Sequence, residues 1–87
     1  MVIWKQVLKV EEEQAVFLPK GALILSVQVQ QGVPCLWFKC EPSGMTERRT
    51  IRMLGTGIPH DMPATDVFLG TIQLENGYLV LHVFEQL

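Results

Sequence analysis

The dipeptide Asn76-Gly77 constrains this chain more than any other feature. It sits between two strand-like runs, residues 66–75 and 78–85, and reads as a two-residue type I′ hairpin turn. Both central residues of that turn need positive φ, which Asn and Gly tolerate. The turn dictates a register in which Glu75 faces Tyr78, Gln73 faces Val80, Thr71 faces His82 and Leu69 faces Phe84. One face of the hairpin then carries Phe68, Ile72, Leu74, Leu79, Leu81 and Val83, and it belongs to a core. The other carries Leu69, Thr71, Gln73, Tyr78, Val80, His82 and Phe84, and it is mixed.

An isolated hairpin is marginal in water, so more strands must pack on it. The chain supplies them. In residues 23–30 the odd positions are apolar throughout, and the even ones turn polar at Ser26, Gln28 and Gln30. That pattern predicts a strand with one buried face. Gln31-Gly32-Val33 turns it back into residues 34–41, a second hairpin, which Pro42-Ser43-Gly44 closes. Residues 46–54 place Arg48, Thr50 and Arg52 on one face and Ile51 and Met53 on the other. Shorter strands are expected at 2–8 and 14–18, separated by a solvated acidic turn around Glu11-Glu12-Glu13. No segment has the apolar spacing of an amphipathic helix. The expected fold is all-β: one small domain, residues 1–87, with six or seven short antiparallel strands in a sandwich or partly open barrel.

Cys35 and Cys40 lie on one predicted strand, five steps or ~16 Å apart. A disulfide needs about 4.4–6.8 Å, so both are expected as free thiols in a reducing compartment, the cytoplasm. The net charge is −2. That argues against duplex nucleic acid or an anionic membrane as the main partner. It leaves room for a small anion held by one or two cations. The apolar content, 48% of 87 residues, is high for so small a chain and points to a homo-oligomer. Trp4, Leu69, Val80 and Phe84 are its expected interface anchors.

No constellation supports catalysis, a metal or a cofactor. His60-Asp61 is an adjacent His–carboxylate pair in the Gly/Pro-rich loop 55–63, but no nucleophile is placed to work with it. Three groups of residues suit binding. Gly55-Thr56-Gly57 would offer backbone N–H groups to an anion, with Arg49 or Arg52 adding charge and His60 a hydrogen bond. Gln28 and Gln30 beside Trp37 place amides next to an aromatic ring, as base or sugar recognition uses. Tyr78 at the hairpin tip offers a second stacking surface.

The stretches Ile3-Trp4-Lys5, Leu18-Pro19-Lys20-Gly21-Ala22, Ile24-Leu25-Ser26-Val27-Gln28-Val29-Gln30, Gly32-Val33-Pro34-Cys35-Leu36-Trp37, Gly55-Thr56-Gly57, Gly70-Thr71-Ile72-Gln73 and His82-Val83-Phe84-Glu85 resemble a small uncharacterised family found in bacteriophages, prophages and bacteria. The family brings no activity with it. Its members tend to read Gly-Thr-Gly-His-Pro where this chain has Gly55-Thr56-Gly57-Ile58-Pro59-His60, so the loop histidine is displaced here. The resemblance implies, by its phage context, a protein that counters host defence. One version is a sponge that sequesters a nucleotide-derived immune signal in the host cytoplasm. The other is a protein–protein inhibitor or a structural accessory protein.

Overall fold

A computed structural model of the chain describes residues 1–42 and 44–87. Seven strands run β1 (Val2–Val7), β2 (Glu13–Pro19), β3 (Leu23–Gln30), β4 (Val33–Cys40), β5 (Thr46–Gly55), β6 (Val67–Leu74) and β7 (Leu79–Gln86). They form two antiparallel sheets, β1-β4-β3 and β2-β5-β7-β6, which are not closed into a barrel. No α-helix occurs among the described residues. The all-β expectation therefore holds, and it resolves to two sheets face to face.

Alternation explains what lies between the sheets. Leu36, Phe38 and Cys40 point inward from β4, Val16 and Leu18 from β2, and Ile51 and Met53 from β5. Ile72 and Leu74 from β6 meet Leu81 and Val83 from β7 in the same core. Burying side chains of this size stabilises by about 1.5–3 kcal/mol each. Both cysteines are free and buried, as expected from their separation.

Asn76 and Gly77 take the angles of a type I′ turn, but Glu75 before them also sits at φ 53° and the ladder ends at Leu74↔Leu79. Residues 75–78 therefore connect the strands, and the expected Glu75–Tyr78 pair is not formed. Asn76 sits at φ 58°, ψ 31° and Gly77 at φ 89°. The Tyr78 N–H donates to the Glu75 carbonyl at 3.1 Å. Gln73 pairs with Val80 and Thr71 with His82, as the turn dictates. Beyond Gly70, which still pairs with Val83, the register breaks. Phe68 pairs with Phe84, and the shift falls between Phe68 and Gly70. The extra residue is Leu69. A β-bulge there exchanges the faces of everything before it. Leu69 now packs on the core, and Phe68 turns outward, 57% exposed, edge-on to Phe84 at 5.3 Å. The expected face assignments of Leu69 and Phe68 are thus reversed.

β3 has the same irregularity. Its register shifts between Ile24 and Ser26, so Leu25 is the extra residue. Val27 and Val29 face the core as expected, but Ile24 joins them while Leu23 and Leu25 are exposed. The two bulged strands are the edges of their sheets, and they lie against each other. A Cβ on Gly70 would sit 2.8 Å from Val27 Cγ1, so glycine permits this approach.

The remaining connections cross between sheets, except that from β5 to β6, which stays on the four-stranded sheet. Residues 8–12 carry β1 to β2. There Lys9 N–H donates to Gln14 Oε1 at 2.9 Å, and Gln14 Nε2 donates back to the Lys9 carbonyl at 2.7 Å. Residues 41–45 lead from β4 into the other sheet; Ser43, part of the expected closing turn, lies outside the described residues. Residues 56–66 join β5 to β6 by running across the outer face of the four-stranded sheet.

Candidate functional site

Each outer sheet face and each end of the sandwich holds part of what the sequence singled out. Arg49 is on the inner face of β5, at one end of the core. Its Nη2 donates to Glu85 Oε1 at 2.9 Å, its Nε bonds the other Glu85 oxygen, and its Nη1 donates to the Ala22 carbonyl at 2.8 Å. Glu47 lies 3.5 Å from the same Nη1. The hydrogen bond to Glu85 holds the Arg49 guanidinium above its ordinary pKa, against the opposing effect of burial. A bidentate pair of this kind ties two strands together at the end of the core.

Arg52 points outward from β5 but is covered. Its Nη1 donates to the Asp61 carbonyl at 2.8 Å and to Asp66 Oδ2 at 3.3 Å. The Arg52 side chain is 12% exposed and that of Asp66 only 3%. Both therefore sit beneath the 56–66 segment, which Arg52 holds down. His60, in the same segment, faces Glu12, with 3.6 Å from Nδ1 to Oε1. His60 and Ile58 help line a cavity of about 290 Å³ with Val10, Met53, Leu79 and Leu81.

The Gly55-Thr56-Gly57 turn lies at the opposite end from Arg49. Gly57 adopts φ 77°, and the space where its Cβ would stand is open. Thr56 Oγ1 is 2.6 Å from His82 Nε2, and Thr71 Oγ1 is 3.0 Å from His82 Nδ1. Three neighbouring strands thus contribute to one hydrogen-bonded chain, Thr56–His82–Thr71. In either neutral tautomer one ring nitrogen donates to a hydroxyl and the other accepts from one. This chain anchors the turn. The N–H of Gly57 donates to no other group among the described residues. Beside it, a concavity of about 380 Å³ is bounded by Gly55, Thr56, Ile58, Tyr78, Leu79 and Val80. Tyr78 is 90% exposed at its rim.

The outer face of the three-stranded sheet forms a separate surface. Trp37 lies at its centre, paired with Lys5 on one side and Ser26 on the other. Lys5 Nζ stands 5.7 Å from the centroid of the Trp37 ring and donates to Gln30 Oε1 at 2.7 Å. An exposed cation–π contact contributes about 0.5–1 kcal/mol. Gln28 pairs with Cys35 on this face, and Lys39, two residues from Trp37, is exposed on it.

The structure therefore brings Gly55, Thr56, Gly57 and Tyr78 together, and separately Gln28, Gln30 and Trp37. It brings neither Arg49 nor Arg52 to either group: Arg49 is paired with Glu85, and Arg52 is covered by the 56–66 segment. Among the expected interface anchors, Trp4 is half-exposed on the edge strand β1. Val80 and Phe84 are half-buried on the outer face of β7, and Leu69 is turned to the core. The sequence reading missed Thr56 as the partner of His82, because that contact needs β5 to pair with β7 across an intervening strand in sequence. It also missed Lys5 and Lys39, whose parity with Trp37 was available once β1 and β4 were paired. No group of three or more potential metal ligands occurs among the described residues. Among the described residues no helix is long and apolar enough to cross a membrane.

Comparison with known proteins places the chain in a family. A family model described as a domain of unknown function, DUF7352, matches residues 1–87. The chain belongs to that family. No curated protein and no solved structure matches it.

Proposed function

We propose that the chain is a non-enzymatic binding protein that sequesters a nucleotide-type anion at the Gly55–Gly57 turn, acting as an anti-defence sponge. One observation carries this reading: the turn is anchored through Thr56 to His82, Gly57 leaves open space at its tip, and the turn borders a concavity rimmed by the exposed Tyr78 ring. Backbone N–H groups in such a turn suit phosphate or carboxylate oxygens. Tyr78 offers a face on which a base stacks. Arg52 takes no direct part in this version, since its Nη1 is held by Asp61 and Asp66 and its side chain is only 12% exposed. A ligand here raises thermal stability by RT ln(1 + [L]/Kd), about 2.7 kcal/mol at a hundredfold excess over Kd. The test is a thermal-shift panel of cyclic dinucleotides, cyclic trinucleotides and ADP-ribose compounds. The expected hit is lost in Gly57→Val, which strains a backbone at φ 77°, and weakened in Tyr78→Ala. A flat response to the whole panel sinks the reading.

A second reading, a protein–protein inhibitor or structural accessory protein of phage origin, is favoured by the unpaired edge of β2. Phe17 stands exposed there. A homo-oligomer fits the other free edge, where Trp4 would be the anchor against a second copy. Light scattering at micromolar concentration tests it, and a 9.9 kDa species refutes it.

A further inference from the structure

The outer face of β1-β4-β3 has a charge pattern unlike the rest of the molecule. Register places Ile3, Lys5 and Val7 from β1 on this face. It adds Cys35, Trp37 and Lys39 from β4, and Ser26, Gln28 and Gln30 from β3. The strands contribute two ammonium groups and no carboxylate to it. Glu41, which follows β4, is held by the Met1 amino group at 3.3 Å. Lys39 has no hydrogen-bond or ion-pair partner among the described residues, and Lys5 bonds only the neutral Gln30 amide. In a chain of net charge −2, this is a local cationic surface centred on an aromatic ring.

We infer that this face is a platform for single-stranded nucleic acid: a base stacks on Trp37, Lys5 and Lys39 meet the flanking phosphates, and the Gln28 and Gln30 amides reach base edges. The inference is independent of the Gly55–Gly57 site, which lies on the other sheet. The surface is an open sheet, not a closed pocket. A strand crossing it meets Lys5, Trp37 and Lys39 as neighbours, since Lys5 is directly opposite Trp37 and Lys39 is two residues along β4. Single strands expose their base faces to such a ring, whereas a duplex hides them. Two lysines also suit the few phosphates of a short strand and not the many contacts a duplex site uses.

Lys5 now covers the ring that a base would use. Binding therefore exchanges partners. The base takes the place of the ammonium over Trp37, and the ammonium leaves Gln30 for a phosphate. The freed Gln30 amide then has both its donors and its acceptor available to the base. Base stacking on an aromatic residue is stronger than an exposed cation–π contact, so the exchange runs toward the bound state.

Fluorescence anisotropy with a labelled oligothymidylate, measured from ~50 to ~200 mM salt, tests this. The parent chain is expected to bind, with a log–log salt slope of about −1.4 for two phosphates on a single strand. Trp37→Ala should weaken binding about tenfold, while Trp37→Phe, which keeps a ring, retains most of it. Lys5→Ala with Lys39→Ala should bring the slope close to zero. In a Trp4→Phe background, quenching of the remaining tryptophan reports stacking directly. Equal binding by Trp37→Ala, or a slope unchanged by the lysine pair, overturns the inference. No binding by the parent chain at the lowest salt also overturns it and assigns the face to a protein partner. None of these results bears on the nucleotide panel for the Gly55–Gly57 turn.

Discussion

The two outer sheet faces handle their cations in opposite ways. On the four-stranded sheet, the 56–66 segment crosses the surface, and Arg52 is used to hold it, bonded to Asp61 and Asp66. On the three-stranded sheet, Lys5 and Lys39 keep company only with neutral groups among the described residues. Arg49 and Arg52, with planar forks that match carboxylates and carbonyls, went into the structure, while Arg48 stays exposed and donates to Thr50 Oγ1 at 3.2 Å. The lysines remained on the surface. A count of basic residues therefore misplaces the ligand-facing charge on this chain. What matters is whether a carboxylate or carbonyl reaches the cation first.

The largest expected effect breaks an arginine contact on the inside. Arg49→Ala leaves Glu85 buried without its partner and should lower stability by about 3–5 kcal/mol in urea unfolding. Replacing both, as Arg49→Met with Glu85→Leu, should recover most of that loss. If the single variant unfolds at the parent midpoint, the pair is not structural.

Arg52→Ala removes the tie beneath the crossing segment. It should cost about 1.5–3 kcal/mol and open residues 56–66 to limited proteolysis. Unchanged cleavage would show that Thr56–His82 and His60–Glu12 hold the segment without it. The variant thus asks whether one covered face can be made to resemble the bare one.

Phe68→Ala is expected to cost less, about 0.5–1.5 kcal/mol, because Phe68 is mostly exposed and touches Phe84 edge-on. A larger loss would mean that the bulge at Leu69 depends on that ring. The smallest effect belongs to the bare face. Lys39→Ala should leave the unfolding midpoint where it is, since the side chain has no partner to lose. A measurable shift would remove the contrast between the two faces.

Much of the fold was legible in the residues. Asn76-Gly77 determined the last hairpin down to Thr71↔His82, and the alternation of Val27 to Gln30 oriented the second half of β3. Legibility ended at the bulges. Leu25 and Leu69 are leucines among apolar neighbours, so nothing in their chemistry marks an extra residue, yet each reverses the faces of the strand before it. Gly70, a glycine inside a strand, was the only local mark. For the sites, parity already put Arg49 with Ile51 and Met53 on the buried face. What it could not supply was Glu85, whose position depends on β5 pairing with β7. The Thr56–His82 contact depends on the same pairing, and so does the separation of the Gly55–Gly57 turn from Arg49.

The corner where β3 meets β6 also decides how this molecule can join others. Both strands are bulged and pressed against each other, which blunts them as templates for a further strand. The unpaired edges that remain, β1 and β2, lie on the opposite side. Sheet extension through strand pairing is thus confined to one flank of the sandwich. A surface that can recruit on one flank alone ends its growth when a partner docks there, whereas two open flanks would permit continued addition. The paired bulges leave β1 and β2 as the edges open to a further strand.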